Sequence, residues 1–348
     1  MSRSPSPSSQ GYFMPAEWEP HEATWMSWPH PGCRSFPGAY DRVLPTFVKM
    51  AEALAESEIV RINVLDAEEE RTVRGLLRKA PPERVEYFHI ATNEPWCRDH
   101  GAIFVRRKAS PKLAALDFGF NAWGYKLSPF DEDDEAAARI AAAVGVPVFD
   151  QNGFILEGGS LDVNGAGAVL TTESCLLNPN RNPKLTRHEI ERRLCESLGV
   201  KSVLWLGDGI EGDDTDGHVD DITRFVAKDT VVTVVEDDEN DPNHDPLQAN
   251  IERLREMQLP GGEPLHVRNL PMPSRIVRDG IRLPASYANF YIANEIVLLP
   301  VFKERNDSWA ESVLRESFPK RKIVPIDCRE LIWGLGAFHC LTQQQPAV

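Results

Sequence analysis

Five side chains of this 348-residue sequence are of types that could do chemistry together: Asp99, Glu157, His218, Asp220 and Cys340. Cysteine is the most nucleophilic side chain near neutral pH, and a nearby histidine can activate it or exchange protons with the reacting group. A carboxylate such as Glu157 can orient the imidazole and fix its tautomer. Two further carboxylates in a water-poor cavity are costly without a cation. A planar guanidinium satisfies both through paired, charge-assisted hydrogen bonds. The set therefore suggests attack by Cys340 on the central carbon of a guanidinium held by Asp99 and Asp220. His218 would protonate the departing ammonia, then activate the water that releases a ureido product. No metal or organic cofactor is needed, and the expected partner is a small cationic guanidine.

Each residue also has a plainer role open to it. A lone cysteine is more often structural than catalytic. His218 and Asp220 could cap a turn, Asp99 could pair with Arg98, and Glu157 could be a turn residue ahead of two glycines. The Asp213-Asp-Thr-Asp216 run suits a solvated loop or a weak divalent-ion site, without the spacing of an EF-hand loop. Zinc is the rival chemistry, since His218, Asp220, His339 and Cys340 are ligand types that suit it. Against it, no His-x-x-x-His or Cys-x-x-Cys pair supplies a nucleus.

What links the five residues is their position relative to the elements that must carry them. Hairpins are expected at Ala102–Arg107 with Lys112–Phe118, Ser160–Val163 with Ala168–Thr172, Asp221–Val226 with Thr230–Glu236, and Tyr287–Ile292 with Ile296–Val301. Each is followed by a helical pattern and a short strand: Asp133–Val144 and Val146–Phe149; Thr186–Leu198 and Ser202–Leu206; Pro246–Met257 and Leu265–Val267; Ser308–Ser317 and Lys322–Ile326. Thr186 stands three residues before Glu189, as in a capping box. A helix at Asp41–Glu56 and a strand at Ile59–Val64 repeat the same tail. Their hairpin can be assembled from both chain ends, Ala23–Trp28 pairing with Phe338–Thr342. The fold class expected is α/β: five ββαβ units in a pseudo-symmetric propeller closed by the termini. Asp99, Glu157 and His218, with Asp220 beside it, fall just before the first strand of a hairpin, and Cys340 lies in the unit closed by the termini; equivalent positions converge on the ring axis.

Composition narrows the function classes. Lys and Arg total 38 against 53 Asp and Glu, a net charge of −15. That balance argues against nucleic acid and anionic membranes as partners and favours cationic small molecules. No apolar run reaches the roughly 18 residues that span a bilayer. The six cysteines form no regular framework, so reduced thiols and a cytoplasmic location are expected. Met1–Gly11 is Ser/Pro-rich and lacks a secretory apolar stretch. It is expected to be a disordered tail ahead of one domain over 12–348. A homodimer is the assembly most frequent among soluble enzymes.

The motifs carry a resemblance over nearly all of Phe13 to Pro346. They are Met14-Pro-Ala-Glu-Trp-Glu-Pro-His21, Trp96-Cys-Arg-Asp99, Phe120-Asn-Ala-Trp-Gly124, Leu156-Glu-Gly-Gly-Ser160, Cys175-Leu-Leu-Asn-Pro-Asn-Arg-Asn-Pro183, Asp213-Asp-Thr-Asp-Gly-His-Val-Asp220, Ala285-Ser-Tyr-Ala-Asn-Phe-Tyr291 and His339-Cys-Leu-Thr-Gln-Gln344. In these the chain resembles the agmatine deiminases, within the Porphyromonas-type peptidylarginine deiminase group. The resemblance implies the five-bladed propeller of guanidino-group-modifying enzymes. It also implies Cys340 as nucleophile, His218 as acid/base, Glu157 orienting it, Asp99 and Asp220 as guanidinium carboxylates, and Trp123 at the substrate. Agmatine would yield N-carbamoylputrescine and ammonia; a peptidyl arginine or another guanidine is the alternative substrate. The same fold also serves a non-catalytic ribosome-binding factor. The chain departs from the family's commoner residues at His100, Asp216, Tyr125 and Phe338, which bear on the substrate's tail rather than on the reaction.

Overall fold

The computed structural model describes residues 5–348 as an α/β protein whose strands fall into several small sheets. Five of these sheets share one pattern, in which an antiparallel pair is followed by a parallel neighbour. The first takes Thr342–Pro346, His21–Ser27, Ile59–Val64 and Val85–His89 in that order. The second holds Ile103–Arg106, Leu113–Gly119 and Val148–Ile155, and the third Asp162–Val163, Ala168–Thr172 and Ser202–Leu206. The fourth holds Thr223–Ala227, Thr230–Val235 and His266–Pro271, and the fifth Tyr291–Ile292, Ile296–Val301 and Lys322–Asp327. A separate hairpin joins Val277–Arg278 to Ile281–Arg282.

A parallel neighbour requires a crossover long enough for a helix. Tyr40–Ser57, Ala136–Ala143, Arg187–Leu198, His244–Glu256 and Asp307–Ser317 supply these. Their apolar residues recur on one face, as with Val43, Phe47, Met50 and Leu54 of the first, and that face is buried. The capping box forms as expected: Glu189 N–H donates to Thr186 Oγ1, and the Glu189 carboxylate receives the Thr186 N–H. Middle strands are buried on both sides, all seven residues of Leu113–Gly119 among them.

Several expected boundaries move. Where strands were expected to begin at Ser160, Asp221, Tyr287 and Phe338, the chain makes short turns, and the strands start at Asp162, Thr223, Tyr291 and Thr342. The cause is local side-chain bonding: Ser160 Oγ donates to Glu157 O at 2.6 Å and Thr342 Oγ1 to Phe338 O at 2.7 Å, each closing a turn. The chain ends do pair, but Trp25 stands opposite Gln343 and Met26 opposite Thr342, so Phe338–Leu341 is a helical turn and not a strand. Part of the expected tail is ordered as well. Ser8–Gln10 forms a 3-10 turn, and Tyr12 Oη donates to Pro111 O; Met1–Ser4 lie outside the described residues.

Candidate active site

The turns that precede the sheets carry the chemistry. Cys97–His100 presents Asp99, the residue before Gly158–Ser160 is Glu157, His218 leads the turn Val219–Asp221, and Phe338–Leu341 presents Cys340. All five expected residues are buried. Gly159 shows how closely they meet. A Cβ placed on it would lie 2.6 Å from His218 Nδ1, 2.8 Å from Asp99 Oδ1 and 3.1 Å from Asp220 Oδ2, so side chains from separate turns converge on one point. Cys340 Sγ approaches Asp220 Oδ2 at 3.6 Å.

Each group is held by named partners. Asp99 accepts from Gly159 N and Trp123 Nε1, both at 2.9 Å, and stands 3.7 Å from His218 Nδ1. The Asp213 carboxylate gathers the backbone N–H groups of Thr215, Gly217 and His218, which makes Asp213–Asp216 a scaffold for His218. Gly217, at φ 97°, lets that turn close. Glu157 accepts from Arg181 Nε at 2.5 Å, and its other oxygen has no hydrogen-bond partner among the described residues. Glu157 lies within 4.8 Å of both His218 and Cys175, yet makes no hydrogen bond to the imidazole.

Burial and neighbouring charge set the protonation states. Burial pushes Asp99 up to about 6, with Asp220 and Glu157 adding to the rise and His218 opposing it. Burial would lower His218, but Asp99, Cys175 and Glu157 hold it well above its ordinary value. For Asp220 the His339 hydrogen bond and charge outweigh burial and keep it below the usual carboxylate range. Burial drives the Cys340 thiol well up, and Asp220, Asp221 and Asp99 drive it further. The site thus holds a neutral thiol, a cationic imidazole and an ionised Asp220.

Cys340 and Asp99 open onto a cavity of about 250 Å3 walled by Trp96, Trp123, Leu127, Leu283 and Trp333. Trp123, expected at the substrate, donates to Asp99 and lines this cavity. The zinc alternative fares less well. Both ring nitrogens of His339 are engaged, by Asp220 Oδ2 at 2.7 Å and Glu17 Oε2 at 2.9 Å. Among the described residues two other triads place ligand atoms within 4.8 Å, Glu157–Cys175–His218 and Asp220–Asp221–Cys340.

The motif departures find structural partners. Burial holds His100 neutral, its proton lost at about 3, and Asp133 protonated, so their 3.4 Å approach joins neutral groups. Asp216 accepts from Lys126, Asn180 and Arg181, reaching Glu157 through the last. Phe338 is core, and Tyr125 is 70% exposed.

Sequence reasoning missed the groups beneath the site. Glu17 is buried against Arg98, Arg224 and His339, and these cations hold it well below its ordinary range despite burial. Only its place in the Met14–His21 motif pointed to it. Asn289 was missed too, although the fifth unit presents it just before Tyr291 as the others present their polar residues.

Comparison with known proteins gives a consistent picture. The family model of the Porphyromonas-type peptidyl-arginine deiminase matches residues 13–346. The agmatine deiminase of Stutzerimonas stutzeri is 38% identical over 368 residues, covering 98% of this chain and 97% of that protein. The solved agmatine deiminase of Enterococcus faecalis superposes with a TM-score of 0.92 at 34% identity, over 99% of this chain and 98% of that one. A cysteine-to-serine variant of the C. jejuni agmatine deiminase, solved with substrate bound, superposes with a TM-score of 0.88 at 32% identity, over 96% of each chain. The chain belongs to the Porphyromonas-type peptidyl-arginine deiminase family.

Proposed function

We propose that the protein hydrolyses agmatine to N-carbamoylputrescine and ammonia through a covalent Cys340 intermediate. The observation that carries this is the convergence of Asp99, Asp220, His218 and Cys340, with Asp99 and Cys340 opening onto one cavity. A guanidinium between the two carboxylates brings its carbon to Sγ. Its positive charge offsets the carboxylates that hold the thiol neutral, so the proton passes from sulfur to solvent as the substrate binds. Sγ attacks the carbon, and His218, cationic at rest, gives its proton to the departing nitrogen, which leaves as ammonia. The neutral imidazole then takes a proton from water as that water attacks the thiouronium carbon. The carbon–sulfur bond breaks as the remaining hydroxyl proton passes to sulfur, leaving the neutral ureido product, the Cys340 thiol and a cationic His218. Glu157, fixed by Arg181, stands beside His218 while the proton moves.

The apolar cavity walls suit a short methylene chain, and Asp214 at the same cavity offers a carboxylate to a terminal ammonium. Arg34 lines it as well and favours a second substrate class, free arginine, whose carboxylate it would face, or peptidyl arginine, whose backbone carbonyl it would face. The five repeated sheets support a five-bladed propeller over 12–348 that the paired termini close. Six free cysteines suit a cytoplasmic location, and the acidic balance weighs against a nucleic-acid partner. The test is ureido-product formation from agmatine, free arginine and an arginine peptide in parallel. Agmatine is expected to dominate; preference for a peptide would move the function to protein modification, and no product from any of them would overturn the proposal.

A further inference from the structure

The turn that carries the nucleophile is held by one amide. Asn289 is 1% exposed, and its Oδ1 accepts from the backbone N–H groups of Ala337 and His339 at 3.1 Å and of Cys340 at 3.3 Å. With the oxygen so occupied, the Nδ2 end must face the other way, which settles the flip of the amide. There it has two hydrogens and two acceptors: Asp221 Oδ1 at 2.9 Å and Cys340 Sγ at 3.0 Å.

We infer that Asn289 is a positioning residue for the reaction, which fixes the turn Ala337–Cys340 through its oxygen and gives the Cys340 thiolate a fixed N–H donor through its nitrogen. This rests on the deiminase reading of the site and adds a group from the fifth sheet to it. Sγ is otherwise surrounded by charge that opposes a thiolate: Asp220 lies 3.6 Å away, and the Asp221 and Asp220 carboxylates both come within 4.8 Å. An amide N–H is the one kind of neighbour on this side that favours the anion over the thiol. It is also in place before substrate arrives, so no reorganisation is needed when the thiolate forms. Asp221 holds the amide from behind. Burial and the nearby Asp220 keep its carboxyl well above the ordinary range.

The test separates positioning from folding. Asn289→Asp keeps an oxygen for the three backbone donors but loses the N–H aimed at sulfur; Asn289→Ala loses both. Alkylation of Cys340 by iodoacetamide, located by mass spectrometry, needs no substrate and so does not depend on which guanidine the enzyme takes. With the donor gone, the pH at which Cys340 becomes alkylated should rise by about one unit or more. At a fixed pH near 9 that is alkylation roughly 10-fold slower, the size expected for one hydrogen bond to a charged group. kcat should fall by about 10- to 100-fold in Asn289→Asp, with KM little changed and the near-ultraviolet dichroism retained. If Asn289→Asp folds and its alkylation profile coincides with wild type, the donor role is wrong whatever its activity. If the profile shifts while no guanidine is turned over by wild type, the deiminase reading fails and the positioning stands.

Discussion

Gly159 tests the site more sharply than any charged residue, because its substitution adds only a methyl group. Its φ is not in the left-handed region, so alanine is not excluded by the backbone. The obstacle is space: the new Cβ would sit 2.6 Å from His218 Nδ1, 2.8 Å from Asp99 Oδ1 and 3.1 Å from Asp220 Oδ2. Ordinary non-bonded separations begin near ~3.5 Å, so His218 or the Gly159 backbone must yield by about 0.9 Å. Asp99 is tied to the Gly159 N–H, so moving the backbone drags that carboxylate along. A displacement of ~1 Å costs about 100-fold in rate when reacting groups must be aligned, and the methyl also crowds the space between the two carboxylates. Gly159→Ala should therefore lose about 100- to 1,000-fold in kcat/KM for agmatine, while overpacking costs stability only about 1–3 kcal/mol. The assay is ureido-product formation across agmatine concentrations, with a thermal melt beside it. The control is Gly75→Ala, in the helix Ala67–Leu76, where an added Cβ meets nothing within 4 Å. It should stabilise by roughly 0.5–1 kcal/mol and leave activity alone. Folded Gly159→Ala with activity within about threefold of wild type would refute the convergence of these three side chains on the reacting group.

Three further expectations concern other parts of the molecule. In the proposed reaction Asp99 would bind the guanidinium only when ionised, and burial pushes its titration up to about 6. kcat/KM should therefore be full above that pH and fall as pH drops through about 6; a flat profile from pH 7 to 5 would assign the binding charge elsewhere. Asp214 is about half exposed and has Lys126 Nζ 3.7 Å away, so its hold on a tail ammonium is screened. Asp214→Asn should raise KM for agmatine about 3- to 10-fold with kcat nearly unchanged, and leave butylguanidine unaffected; equal effects on both guanidines would rule out a tail contact. Thr186→Ala removes the cap of Arg187–Leu198 and should cost about 1 kcal/mol in a denaturant melt without touching activity, whereas an unchanged melt would mean the capping box contributes nothing.

The parts of this structure that were legible in the sequence are those governed by short spacing. Alternation and turn residues located the hairpins, and a three-residue offset located the cap at Thr186. The same reasoning overran the strand starts at Ser160, Tyr287 and Phe338. At Ser160 and Phe338 hydroxyl-to-backbone bonds across three or four residues win locally, and at Tyr287 the hydroxyl is held by the Glu304 and Asp307 carboxylates. The candidate catalytic residues were recoverable because the turns repeat at a fixed phase. Asn289 occupies that phase too, but an amide between apolar neighbours carries no charge to draw attention. Glu17, Arg98, Arg224 and His339 could not be found this way. Their partners lie as far as 322 residues apart in sequence, and only closure of the fold makes them neighbours.

The cost of gathering so many carboxylates is itself informative about the reaction. Glu17 is compensated by two arginines and His339 and stays charged without help from a substrate, and Glu157 is paired with Arg181. Asp99 is treated differently: its neighbours are a tryptophan N–H, a backbone N–H and a histidine 3.7 Å away, and burial leaves it near the edge of protonation. Had an arginine been paired with Asp99, the carboxylate would be more stable and its affinity for a guanidinium spent. The same incomplete pairing acts on sulfur. Asp99, Asp220 and Asp221 keep Cys340 a thiol, and thiols are poor targets for oxidants and stray electrophiles. A ligand that is both planar and cationic relieves the carboxylates and frees the thiol proton in one step. The site is thus most reactive only when occupied by the class of molecule it transforms, and its selectivity and its protection of Cys340 arise from one arrangement of charge.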